Sequence, residues 1–215
     1  MAFGDSISAA FAARAGVQED RDIAFSGGEG TKDQMTFPWL MSQYNYDVEG
    51  MSTRRAFPMD FWHLPSGDYH SKTDHLNFAE SSGSVFRGSL DEQWGLLQKT
   101  RGDYDNFDSK WKVLTVWLFS NDVCGQCKAD MNGTDEMKTW VGKYDEFFQN
   151  VTETMSNTIV NIMIEPDLSY IHKAQQETTF CAELHDKWLR ECGCIDRGTD
   201  EELSMLDHNV HVGNE

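Results

Sequence analysis

The chain has no apolar run that approaches the roughly 20 residues a membrane-crossing helix needs. Its first residues carry no basic stretch leading into an apolar one, so they do not read as a secretory signal. No internal repeat, linker or low-complexity segment interrupts the 215 residues. Basic residues are scarce: 18 Lys and Arg stand against 36 Asp and Glu, a formal charge of −18. A surface this acidic repels nucleic acid and is not drawn to anionic lipid, so neither is expected as a partner through simple attraction. What is present is globular in kind: 39% apolar and 12% aromatic residues, enough for one sizeable core or two small ones.

Five cysteines fall into a C-G-Q-C pair, Cys124 and Cys127, a C-G-C pair, Cys192 and Cys194, and the single Cys181. Disulfides, zinc and a redox pair all remain open on spacing. C-G-C is a poor second half for a zinc site, and a redox C-x-x-C belongs at a helix N-terminus after a strand. Two sequons, Asn132-Gly-Thr and Asn150-Val-Thr, tilt the balance towards disulfides in a secretory-pathway protein.

Periodicity predicts alternating strands and helices. Residues 1–4 read as the end of a strand, and 6–14 as the start of a helix. Residues 34–44 read as helix around Pro38, a first-turn position, and 45–75 as irregular. Residues 75–79 read as a short strand, followed by a helix capped by Ser89. Residues 111–119 (WKVLTVWLF) and 158–164 (TIVNIMI) are near-continuous apolar runs, as strands buried on both faces should be. Between them, Met137 to Met155 carries apolar residues at helical spacing, with aromatics that belong to a core. Residues 178–190 and 199–212 read as two more helices. This alternation predicts an α/β fold with a parallel sheet and helices on both faces.

In such sheets, ligands bind beyond the carboxyl ends of the strands. Ser6, the Ser82-Gly83 turn and Asn121 each follow a predicted strand. A serine on a tight strand-to-helix turn is an exposed nucleophile with backbone N–H groups beside it. Two backbone N–H groups and an asparagine amide would supply an oxyanion hole, each donor holding about 2.7–4 kcal/mol of barrier. Asp5 is expected to shape the turn, and Glu165 to be a solvated loop residue.

Gly4-Asp5-Ser6-Ile7 resembles the first block of the GDSL, or SGNH, hydrolases. The chain is most similar to their animal membrane-associated phospholipase B branch. Ser26-Gly27-Gly28-Glu29-Gly30-Thr31 resembles that branch's S-x-G-G-D-G-T, and Leu76-Asn77-x-Ala79 followed by Gly83 resembles its L-N-x-A-x-x-G. The segment from Trp111-Lys112 to Asn121-Asp122-x-Cys124-x-x-Cys127 resembles its W-K to N-D-L-C-x-x-C stretch. The resemblance implies a three-layer α/β/α sandwich with a flavodoxin-like parallel sheet, here one domain over 1–215 lacking its last strand and helix. It implies Ser6 as nucleophile and oxyanion N–H, Ser82 or Gly83 as a second N–H, and Asn121 as the side-chain donor. Acyl esters of phospholipids or lysophospholipids would be cut without metal or cofactor, and the membrane surface would be met only through that substrate. The cysteines would form structural disulfides in an extracytoplasmic domain, leaving one over.

The departures are specific. Phe119 stands where the family has the glycine of its G-x-N block, and Ser82 where the branch has a second glycine. Phe119 would either crowd the oxyanion site or turn away from it. The family's base is a histidine in a D-x-x-H motif near the C-terminus, and Leu206 to His211 does not supply it. The single D-x-x-H, Asp60-Phe-Trp-His63, lies between the first two blocks. His63, His70 or His75 would have to reach Ser6 to substitute, while His172, His185, His208 and His211 are expected to be solvated. Without a base, the alternative is an inactive relative that binds lipid or a partner through the same cleft.

Overall fold

The computed structural model describes residues 1–14, 16, 18–55, 69–179, 182–183, 187 and 192–215. His63, Cys181 and His185 lie outside them, as does most of the helix expected over 178–190. In chain order the elements are β1 (Ala2–Gly4), α1 (Phe37–Ser42), α2 (Ser71–Asp74), α3 (Ser89–Thr100), β2 (Lys112–Trp117), α4 (Ser120–Val123), α5 (Asp135–Thr154), β3 (Thr158–Ile162), α6 (Ser169–Gln176), α7 (Gly193–Arg197) and α8 (Asp200–Asn214). They divide into two units, residues 1–118 with 145–163 and residues 119–144 with 164–215.

The first unit holds an open parallel sheet in the order β1-β2-β3. Ala2 pairs with Thr115, and Lys112 to Val116 pair with Thr158 to Ile162. Residues 76–80 run along the other side of β1 as a single parallel bridge at Asn77 rather than a full strand. Even so, the Ala2 and Phe78 N–H groups bond the Leu76 and Ala2 carbonyls, and the Glu80 N–H bonds that of Gly4. The spatial order is therefore second, first, third and fourth in chain order, as in one of the doubly wound sheets. The chain is mixed α/β.

Its core forms around Phe3, fully buried, with Phe78 and Phe147 each 5.3 Å away between ring centroids. Trp94 meets Phe147 edge-on at 5.7 Å. The apolar run of β2 is buried as its sequence predicts, with Leu114 and Val116 inside.

Three expectations are corrected here. Residues 6–14 form turns instead of a helix, because Ala10 and Ala12 take positive φ (57° and 54°), outside right-handed helical space. Ser89 is the first residue of α3 rather than its cap; Gly88, at φ 85°, holds the cap position. The apolar strand β3 is exposed rather than buried, with Ile159 56% and Ile162 57% accessible. An apolar run specifies a strand, but not what covers it.

The second unit has no strand among its described residues. Disulfides join Cys124 to Cys192 and Cys127 to Cys194. The zinc and redox readings of the cysteine pairs fall with this, since each C-G-Q-C thiol is bonded to the C-G-C segment. Loops of 68 and 67 residues are closed, each worth about 4 kcal/mol in the chain-entropy account. A capping box opens α8: the Thr199 hydroxyl accepts the Glu202 N–H, and the Glu202 carboxylate accepts the Thr199 N–H. Further along α8, the buried Asn209 accepts the Met131 N–H and donates to the Gln126 and Ala129 carbonyls.

Candidate active site

Gly4 ends β1 at a point where the chain has no room for a side chain. A Cβ there would lie 2.2 Å from the Ser8 hydroxyl and 2.4 Å from the Trp117 carbonyl, so only glycine fits. The buried Gln93 side chain of α3 clamps both faces of its peptide. Gln93 Oε1 accepts the Gly4 N–H at 2.9 Å, and Nε2 donates to the Gly4 carbonyl at 2.8 Å.

Asp5 is fully buried. Its N–H bonds the Trp117 carbonyl at 3.3 Å, its own carbonyl accepts the Ala9 N–H, and its Oδ1 accepts the Ile7 N–H at 2.9 Å. The carboxylate therefore spans Ser6 and holds the turn on which that half-buried serine is presented.

The Ser82-Gly83 turn comes to the same end of β1. The ideal Cβ position of Gly83 lies 3.1 Å from the Gly4 carbonyl oxygen. Ser82 takes φ 64°, a left-handed conformation that favours the glycine the resemblance leads one to expect there. The Gly83 N–H closes the turn on the Glu80 carbonyl at 3.1 Å.

Buried charge holds that turn, and sequence reasoning missed it. Glu19 and Arg21 are 2% and 2% exposed and paired at 2.8 Å. Glu19 Oε1 accepts both the N–H and the hydroxyl of Ser81, while Arg21 donates to the Asn77 and Ala79 carbonyls. Asp74, also buried, lies 3.9 Å from Arg21 and is paired with Arg54. Nothing in a single E-D-R triplet announces this; only the fold brings residues 74–81 onto it. Burial also lifts the Glu80 carboxyl above the usual carboxylate range, opposed by hydrogen bonds from Ser89 and Gln93.

Asn121 belongs to the second unit, half-buried on the short α4. In that unit Phe119 turns away into packing: its ring meets Trp140 at 4.4 Å and lies against Gly213 of α8. The expectation for Glu165 is corrected. It is 3% exposed, accepts the Ser120 hydroxyl at 2.9 Å, and exchanges two backbone hydrogen bonds with the Asn214 amide.

Four of the described histidine side chains have partners other than Ser6. His75 meets the Tyr104 hydroxyl at 3.4 Å, and His172 the Ile195 carbonyl. His208 pairs with Asp130 at 3.2 Å and His211 with Asp167 at 3.0 Å, both imidazoles exposed as expected. Among the described residues no cluster of metal-ligating side chains forms.

No family model matches the chain, and no solved structure matches it. It is 22% identical over 147 residues to human membrane-associated phospholipase B1, an alignment covering 67% of this chain and 9% of that protein. The chain thus spans a small part of its relative's length, and it is distantly similar to a phospholipase.

Proposed function

We propose that the chain is the nucleophile-bearing domain of a serine ester hydrolase of the SGNH kind, acting on the acyl esters of phospholipids or lysophospholipids. The observation that carries this is the setting of Ser6. A half-buried serine follows the carboxyl end of β1, on a turn built by a buried aspartate, beside a second turn anchored to the same strand. The strand order and the distant similarity to a phospholipase support the fuller α/β/α sandwich, with a single domain over 1–215 part of the same proposal. Two disulfides fit an oxidising, extracytoplasmic location.

In this reading Ser6 gives its proton to a base and attacks the ester carbonyl. The ester C–O bond breaks as the base returns that proton to the departing alcohol. Water then hydrolyses the acyl-serine, which releases the fatty acid and regenerates Ser6. The oxyanion is received by the N–H groups of Ser6 and Ser82, and Asn121 as a further side-chain donor rests on the sequence resemblance alone. The Gly83 N–H is committed to its own turn, which favours Ser82 of the two backbone donors. Asp5 positions the nucleophile and takes no proton.

Because His75, His172, His208 and His211 have other partners, the experiment reads the serine itself. The protein made from its native reading frame is treated with a fluorophosphonate and assayed for fatty-acid release from lysophosphatidylcholine. Ser6→Ala is expected to abolish both signals, and Asn121→Ala to slow release about 10²–10³-fold. Hydrolysis unchanged in Ser6→Ala overturns the assignment. Protein that neither labels nor hydrolyses moves the reading to a non-catalytic lipid-binding relative.

A further inference from the structure

The amino ends of the strands carry a site of a different kind. A cavity of about 310 Å³ opens there in the first unit, at the low end of small-ligand pockets. Its wall is mostly apolar, built by Phe37, Pro38 and Met41 of α1 with Leu76, Phe107 and Ile159. At its edge Trp111 is 75% exposed, and Met41 and Ile159 are 39% and 56% exposed. Large apolar side chains left open to water around one hollow mark a binding surface rather than a core.

The polar groups around the cavity select against an anion. The three protons of the Lys112 ammonium go to the carbonyls of Phe107, Asp108 and Lys110, at 2.9, 3.3 and 2.8 Å. Lys110 is paired with Glu49 at 2.7 Å, and Asp47 adds a further negative charge. The Met1 backbone nitrogen donates to the Val113 carbonyl. Among the described side chains lining the cavity, the Lys110 and Lys112 charges are balanced by Glu49 and Asp47. The Lys112 protons are already placed on carbonyls, so a carboxylate head group meets no surplus positive charge to replace its water.

We propose that this cavity takes the hydrocarbon tail of an uncharged single-chain amphiphile and discriminates against the fatty-acid anion of the same length. Ser6 lies beyond the opposite ends of the strands, so the site is separate from the proposed ester chemistry.

Calorimetric titration with decanol, which has no ester to cut, tests this directly. One saturable site is expected on the unmodified chain. Decanoate is expected to bind about tenfold more weakly or worse, and Met41→Arg and Ile159→Arg are each expected to weaken decanol by about tenfold or more. Both substitutions are at exposed positions, and circular dichroism confirms that each variant is folded. Absence of saturable decanol binding overturns the proposal. So does equal affinity for decanoate, or undiminished affinity in a folded variant.

Discussion

The two units solve one problem with different chemistry. Each must fix long irregular segments. The first does so with charge: Glu19, Arg21 and Asp74 are taken out of water, Glu19 and Arg21 hydrogen-bond the backbone of residues 77–81, and Asp74 accepts from Arg54 and the His70 N–H. The second does so with covalent cross-links, two disulfides that tie 124–127 to 192–194, and with the Asn209 amide reading the loop before α5. A disulfide acts mainly by restricting the unfolded chain, whereas a buried ion pair acts in the folded state and fails badly when one partner is lost. The units should therefore respond to different insults.

Reduction is expected to have the largest effect. Opening both disulfides removes at least about 4 kcal/mol from the second unit. Hydrogen exchange should show residues 119–144 and 164–215 losing protection while β1 and β2 keep theirs. Equal loss in both units would erase the contrast. Next comes Arg21→Ala, which strands Glu19 in the interior and should cost about 3–5 kcal/mol. Urea unfolding measures it, and loss of protection should centre on residues 76–83. A cost below about 1 kcal/mol, the worth of an exposed pair, would mean that the network is decoration.

The smallest effect is a pH dependence confined to the first unit. Burial holds the folded Glu80 carboxyl above the usual carboxylate range, so the folded state keeps that proton to higher pH than the unfolded one. Stability from this group is therefore present in acid and is lost as pH rises through the folded value, by at most about 1.4 kcal/mol per unit. Glu80→Gln should flatten that slope, as measured by unfolding free energies across the acidic range.

The sequence made some features legible and hid others for definable reasons. β2 and α5 are long and strongly patterned, and both stand where their periodicity puts them. Pro38 falls in the first turn of α1 behind a Thr36 cap, as a proline there should. The turns at Ser6 and Ser82 were found through local motifs, since turn chemistry is written in adjacent residues. Local pattern fails where the answer is tertiary. Glu165 reads as a loop carboxylate because nothing near it announces Ser120 and Asn214. β3 reads as buried because its composition is that of a buried strand. Glu19 and Arg21 carry no local signal at all, yet the fold places them behind the turn that the proposed chemistry depends on.

Gly213 carries a last consequence. A Cβ at that position would lie 2.1 Å from the Phe119 ring, so the smallest side chain is required where α8 passes the aromatic. Positions 119 and 213 are thereby one inherited character, although 94 residues of chain separate them. A glycine at 119 would free 213 to vary, and a larger residue at 213 requires the phenylalanine to go first. The order in which those two changes occur along a genealogy is constrained by the geometry of a single ring.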